Sequence, residues 1–181
     1  MLAFDIETTG LNPRDSVVTC ACAFDPDAGI DRIFFFGYDG SSEDADTPEV
    51  FFALLDRADR LCAFNGVRFD LPFLQARYGL SDSRIGAWVL KLCDLYEAGR
   101  LGFGSAYSLN ALLAANGLDA KTGCGADAIL LAREGRWREL GEYCRQDTIK
   151  THSVSGLSRV LLPFKMGRAV HMVGGRFIMP S

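Results

Sequence analysis

The sequence predicts an α/β domain with a mixed central β-sheet flanked by helices. Strand-like apolar segments fill most of the first 36 residues, and a helix–strand–helix unit then leads into a helical second half. That order of elements is typical of a sheet covered by helices. The 181-residue length is that of one domain. We expect this domain to cover residues 1–162, with residues 163–181 as a C-terminal tail or an extra strand.

Three strands are predicted near the N-terminus. Residues 2–7, 17–24 and 30–36 are short apolar runs, as expected of strands within a sheet. The second and third runs are joined by residues 25–29 (Asp-Pro-Asp-Ala-Gly), in which aspartate, proline and glycine are typical of a turn. We therefore expect the fold to open with three strands.

The remaining elements are mainly helical. Residues 47–49 (Thr-Pro-Glu) form a helix N-cap with proline at the first helical position, which predicts a helix to about residue 57. Residues 60–64 predict a short apolar strand, and a second helix should begin near Asp70. Further helices are predicted at residues 84–96, 108–116, 125–133 and 136–161.

The sequence contains neither a membrane span nor a secretion signal. No segment approaches the roughly 18–20 apolar residues that a span requires, and the N-terminus lacks a basic leader followed by an apolar core. We therefore expect an intracellular protein of the cytoplasm or nucleus, not secreted and with no membrane partner. Because no C-x-x-C pair occurs, we expect reduced and buried thiols at Cys20, Cys22, Cys62, Cys93, Cys124 and Cys144.

Charge is distributed unevenly along the chain. The net charge of −4 argues against a protein that holds nucleic acid by bulk electrostatic attraction. Residues 1–60 carry 13 acids and 4 bases, whereas the chain from residue 133 onward carries 9 bases and 4 acids. This asymmetry fits a polyanion that approaches one side of the molecule, and it fits a solvated surface without a partner equally well.

Two acids lie on one face of the first predicted strand. Period-two alternation directs the large apolar side chains to one face and Asp5 and Glu7 to the other. Neighbouring carboxylates on an apolar strand repel each other unless water or a cation compensates. Residues 8–10 are turn-like and end the strand, so both acids should stand at an edge of the sheet, where ligands usually enter.

A third acid interrupts the apolar face of the last predicted helix. Apolar residues recur there at spacings of three and four, and Asp147 lies on the same face. Burial of an ionised carboxylate costs free energy unless a nearby positive charge compensates it. Tyr143 lies one turn earlier, so its hydroxyl can project over the same patch.

Asp70 is a fourth acid, at a junction between a predicted strand and a helix. If it converges with the other three, cations must lie between them, because clustered carboxylates repel one another. Oxygen ligands in that number favour Mg²⁺ or Mn²⁺ over zinc. The sequence alone leaves the convergence open.

Three motifs that contain these acids resemble those of the DEDD, or DnaQ-like, superfamily of 3′→5′ exonucleases. Residues 4–11 (FDIETTGL) resemble the first motif. Residues 65–74 (NGVRFDLPFL) resemble the second, in the form found in proofreading domains of B-family DNA polymerases. Residues 143–148 (YCRQDT) resemble the third in its tyrosine version, Y-x-x-x-D, which marks the DEDDy subgroup. The resemblance extends over residues 2–151, most of the chain.

The resemblance implies an RNase H-like fold and hydrolysis with two Mg²⁺ (or Mn²⁺) ions. Asp5, Glu7, Asp70 and Asp147 would be metal ligands, and Tyr143 would hydrogen-bond the nucleophilic water, which makes these five the catalytic set. The substrate would be nucleic acid with a free 3′ end, single-stranded or frayed, with DNA favoured over RNA. The products would be nucleoside 5′-monophosphates. A polymerase or another replication or repair protein could be a partner in trans.

Four further residues are substrate-contact candidates by the same resemblance. Thr8 would contact the terminal 3′ hydroxyl, and Leu11 would wedge against the last base. Asn65 would hold the substrate backbone or order the second motif, and Phe69 would be either a stacking surface or a core residue. Asp94 could be a fifth acid near the site, although an exposed helical residue is the favoured interpretation.

Two other functions stay open. A catalytically silent RNase H-like module would bind nucleic acid or protein, since a fold does not determine a function; the intact acids of all three motifs speak against it. An RNase H-type endonuclease would also use clustered acids, but the Y-x-x-x-D helix disfavours it. A catalytically silent module should digest nothing with Mg²⁺ or Mn²⁺, whereas an exonuclease should. A circular substrate distinguishes the endonuclease, because an exonuclease needs a free 3′ end.

Overall fold

The central sheet of the protein is mixed, as the sequence predicts. The computed structural model describes residues 1–36, 46–103, 106–119, 125–163, 169–173 and 176–178. Its first five strands are β1 Leu2–Thr8, β2 Val18–Asp25, β3 Ile30–Phe35, β4 Leu61–Ala63 and β5 Leu92–Asp94. They form one sheet in the order β3-β2-β1-β4-β5. β1 is antiparallel to β2, and β2 to β3, whereas β1, β4 and β5 run parallel.

Helices cover both faces of this sheet. In the described part of the chain they are α1 Pro48–Arg57, α2 Asp70–Tyr78, α3 Asp82–Leu90, α4 Leu95–Phe103, α5 Leu109–Ala115, α6 Gly125–Arg133 and α7 Trp137–Ser155. On one face, Phe4 of β1 packs in a core with Phe51 of α1 and Trp88 of α3. On the other face, Ala3 packs in a second core with Leu112 of α5 and other residues of α5 and α7. The α/β class is therefore confirmed.

The prediction of one helix over residues 84–96 is wrong. α3 ends at Leu90, and residues 92–94 form β5, which pairs in parallel with β4 through Leu61 and Leu92. A three-residue strand has no periodicity of its own, so its pairing with β4 decides its structure. Asp94, expected on an exposed helix, is only 6% exposed at the end of this strand.

The last predicted helix is also shorter than expected. α7 ends at Ser155 rather than near residue 161, and Arg159–Leu161 forms a further strand, β6. β6 pairs with β7, Ala169–Val173, which in turn pairs with β8, Arg176–Ile178. The C-terminal segment thus contains strand, while its separation from the domain at residue 162 stays a prediction.

The cysteines that the structure describes are free and buried, as expected: Cys20, Cys22, Cys62, Cys93 and Cys144. Cys124 lies outside the described residues. Among the helices of the described ranges, none has the length and apolar character needed to cross a bilayer.

Candidate active site

An open cleft of about 350 Å³ lies where the C-terminal end of β1 meets the loop that follows β4. All four predicted metal ligands and the predicted catalytic tyrosine line it. The structure therefore brings together residues that are far apart in the sequence, whereas their catalytic roles stay predictions. The lining consists of Asp5, Ile6, Glu7, Phe64, Asn65, Phe69, Asp70, Tyr96, Tyr143 and Asp147.

Asp5 and Glu7 share one face of β1, as the alternation predicts. Both side chains are half-buried. A carboxylate oxygen of each and the Sγ of Cys144 lie within 4.8 Å of one another. The Cys144 thiol donates to the main-chain oxygen of Asp5 at 3.6 Å and to its Oδ2 at 3.8 Å. α7 thus contacts β1 at the position of the first acid.

Asp70 is tied directly to the central strand. It is the first residue of α2 and is 2% exposed. Its Oδ1 accepts the backbone N–H of Ile6 at 3.1 Å, between the two acids of β1. Burial, and next the negative charge of Asp94, raise the pKa of Asp70 to about 7, although backbone N–H groups of Asp70 and Ile6 oppose the rise. The folded protein therefore holds this carboxylate at an energetic cost.

Asp147 and Tyr143 approach the cleft from α7. Asp147 is buried, at 7% exposure, and Tyr143 is half-buried one turn earlier. The helix lies very close to the sheet: a Cβ added at Gly141 would be only 2.6 Å from the ring of Phe35. Arg145 adds a two-point ion pair to Asp31 of β3, with N–O distances of 2.7 and 2.5 Å. Close packing and this ion pair together set the position of α7 over the sheet.

The donors at the cleft fit a divalent cation. Asp5 and Glu7 already hold their oxygens close together, and Asp70 is a buried acid whose negative charge lacks full compensation. Hard carboxylate oxygens are the ligands that Mg²⁺ and Mn²⁺ prefer. A cation among these acids would favour the ionised form of Asp70.

The fold agrees with a comparison against protein families. A family model described as the RNase H superfamily matches residues 2–157. The chain belongs to the RNase H superfamily. Its mixed sheet, with helices on both faces, is an RNase H-like domain.

Two solved structures share this RNase H-like fold. One, described as the apo form of a nuclease, has a TM-score of 0.55 and 18% identity, over 84% of this chain and 68% of that chain. The family B DNA polymerase from the hyperthermophilic archaeon Pyrobaculum calidifontis has a TM-score of 0.60 and 18% identity, over 86% of this chain and 26% of the polymerase. This chain thus spans about a quarter of the polymerase. A search of curated proteins finds no match.

The four substrate-contact candidates divide into two groups in this RNase H-like domain. Asn65 and Phe69 line the cleft. Thr8 is 5% exposed and its hydroxyl donates to the main-chain oxygen of Gly10 at 2.6 Å, whereas Leu11 is 79% exposed. Neither Thr8 nor Leu11 contributes to the described lining of the cleft. Their contacts with a substrate stay predictions.

Three residues near the acids were not predicted from the sequence to belong to the site. Cys144 contacts Asp5, and Phe64 and Tyr96 add aromatic rings to the cleft, with centroids 5.6 Å apart. Cys144 lies three positions before Asp147 on the inner face of α7, so helical spacing offered a signal for it. Tyr96 had no such signal, because its position depends on the break between β5 and α4.

Proposed function

We propose that this RNase H superfamily chain is a metal-dependent 3′→5′ exonuclease of the tyrosine-containing DEDD group. The observation that carries the proposal is that Asp5, Glu7, Asp70, Tyr143 and Asp147 line one open cleft. Clustered carboxylates in and around a protein interior are unfavourable without counter-charge. Acids retained in this arrangement therefore support a catalytic role better than a purely structural one.

In the proposed site the four carboxylates would hold two divalent cations of the Mg²⁺ or Mn²⁺ type. When bound, such cations neutralise charge on the scissile phosphate and lower the pKa of the attacking water. The protein's own contribution is positional, since Asp5 and Glu7 lie on β1, Asp70 on α2 and Asp147 on α7. The Tyr143 hydroxyl hydrogen-bonds the attacking water and directs it at the phosphorus atom.

The free 3′ end of the proposed substrate follows from the resemblance of the three motifs to those of 3′→5′ exonucleases. The open cleft of about 350 Å³ has room for about one nucleotide. We assign the substrate as a single-stranded or frayed 3′ end and the product as a nucleoside 5′-monophosphate. DNA is favoured over RNA because the second motif resembles those of B-family polymerase proofreading domains. A polymerase or repair protein acting in trans is the proposed kind of partner.

The direct test is a digestion time course on single-stranded oligonucleotides labelled at the 3′ or the 5′ end, with Mg²⁺, Mn²⁺ or a chelator. The 3′ label should appear at once as a mononucleotide, and the 5′ label as a shortening ladder. Asp147→Asn should reduce the rate at least about 100-fold, because a buried metal ligand is lost.

Glu142→Gln is the matched control. Glu142 lies on the same helix but is exposed, where it accepts hydrogen bonds from Arg145 and Gln146. This variant should digest at the wild-type rate. Digestion that persists in chelator, or equal rates for the Asp147 and Glu142 variants, would contradict the proposed function.

A further inference from the structure

Asp94 makes more hydrogen bonds than a helix cap requires. It is 6% exposed at the end of β5. Its Oδ1 accepts the N–H groups of Tyr96 at 2.9 Å and Glu97 at 3.2 Å, which caps α4. The same oxygen accepts the N–H of Asn65 at 3.0 Å, and Oδ2 accepts that of Val67 at 2.8 Å. One carboxylate therefore joins the start of α4 to the loop between β4 and α2.

That loop has a demanding conformation. Asn65 has a φ of 70°, in the left-handed region, which asparagine adopts more readily than most residues other than glycine. A Cβ at Gly66 would lie 2.7 Å from the Cβ of Ala63, so the loop also approaches β4 closely. The loop ends where α2 begins, at Asp70. Small changes in its path would therefore move Asn65 and Asp70 relative to the cleft.

Helix capping alone does not explain a buried carboxylate at this position. Serine or asparagine caps a helix about as well as aspartate. Asp94 instead uses both of its oxygens, since Oδ1 alone caps α4 while Oδ2 accepts the N–H of Val67 in the loop. A serine hydroxyl or an asparagine carbonyl offers only one acceptor oxygen, so neither can do both.

We propose that Asp94 is a positioning residue, whose two oxygens hold the loop of residues 65–67 so that Asn65 and Asp70 face the cleft. The inference rests on the proposed function, because the loop carries two residues of the proposed site. Asp94 itself does not line the cleft, so it acts through these residues.

The test uses two substitutions that keep the cap of α4. Asp94→Asn retains one carbonyl oxygen but turns an N–H₂ group toward the N–H of Val67. Asp94→Ser retains a capping hydroxyl that is too short to reach the loop. Ser81→Ala is the matched control, since it removes the cap that the hydroxyl of Ser81 gives to the N–H of Arg84 in α3, away from the cleft.

Three measurements are made on each full-length variant: thermal melting, amide hydrogen exchange at residues 65 and 67, and the rate of digestion of a 3′-labelled single strand. Asp94→Asn should speed the exchange of the residue 67 amide, whose partner Oδ2 it replaces, and Asp94→Ser should speed the exchange of both amides. Both variants should lower kcat by about tenfold or more, the range seen when residues that orient metal ligands are removed. Ser81→Ala should change neither quantity. A kcat within twofold of wild type, in a folded variant whose loop exchanges fast, overturns the proposal.

Two further readouts decide the remaining outcomes. If neither Asp94 variant folds, exchange in the wild type is decisive, because free exchange at residues 65 and 67 overturns the proposal and protection supports it. If the wild type digests no oligonucleotide, the proposed function fails, and Mn²⁺ binding tests Asp94 separately. Binding about tenfold weaker in Asp94→Asn than in Ser81→Ala supports the positioning role, and equal binding overturns it.

Discussion

The carboxylate of Asp70 accepts the backbone N–H of Ile6 at 3.1 Å, so the first turn of α2 is joined to β1 between Asp5 and Glu7. This hydrogen bond links the first two sequence motifs. Although this bond favours the ionised form, burial and next the negative charge of Asp94 raise the pKa of Asp70 to about 7. Protonation of Asp70 and cation binding are thus alternative ways to remove the same unfavourable charge.

Asp70 should make the metal-free protein less stable as the pH rises from about 4 to about 7. Across this range folded Asp70 binds more protons than the same group in the unfolded chain, in which its pKa is near 3.8, so its titration favours unfolding. The contribution of Asp70 to this loss is up to about 4 kcal/mol, and the raised pKa of Asp94 acts in the same direction. Urea denaturation in chelator at a series of pH values measures it.

Asp70→Asn should flatten this pH dependence and unfold at higher urea concentration than wild type at pH 7 without metal. Asp59→Asn, which changes an exposed acid, is the control and should retain the wild-type slope. An Asp70→Asn protein with the wild-type slope would show that Asp70 is not the titrating group.

Gly141→Ala should destabilise the fold by up to about 2 kcal/mol, because an overpacking cost of about 1–3 kcal/mol outweighs a gain in helix propensity of up to about 1 kcal/mol. The added methyl group would meet the ring of Phe35 at 2.6 Å and force α7 away from the sheet. Gly86→Ala in α3 is the matched control, because a Cβ there has no neighbour within 4 Å. Helix propensity alone should then stabilise it by up to about 1 kcal/mol. In chemical denaturation the free energy of unfolding should therefore fall for Gly141→Ala and rise for Gly86→Ala. Changes of the same sign in both variants would contradict the close contact between α7 and β3.

Tyr143→Phe should slow digestion less than loss of an acid, by about tenfold, because one hydrogen bond to the water is lost while the proposed metal ligands stay in place. The Mg²⁺ concentration that gives half-maximal rate should be unchanged. Single-turnover digestion at saturating enzyme measures the rate. A loss as large as that of Asp147→Asn would require a role for Tyr143 beyond directing water.

A circular single-stranded DNA should resist the protein with Mg²⁺, whereas the same DNA linearised should be degraded to mononucleotides. An exonuclease needs a free 3′ end, and an RNase H-type endonuclease does not. Agarose gels of the two substrates after equal times give the answer. Cleavage of the circular DNA would support the endonuclease. If neither DNA is degraded, the result would support the catalytically silent module.

Much of the candidate site follows from local periodicity. Alternation along β1 sets Asp5 and Glu7 on one face, and the helical repeat of α7 sets Tyr143 and Asp147 on another. These relationships need only neighbouring residues on one element. For that reason the sequence predicts the acids, the mixed α/β class and the need for cations together.

Other features depend on contacts between distant segments. The strand at residues 92–94 is too short to have a pattern, and it exists because it pairs with β4. That pairing buries Asp94 beside the loop before Asp70 and brings Tyr96 to the cleft. Likewise, only the packing of α7 on β1 brings the Cys144 thiol to Asp5. Sequence periodicity determines which face of an element a residue occupies. The tertiary structure decides which residues that face contacts, because pairing between distant segments produces no local repeat in the sequence.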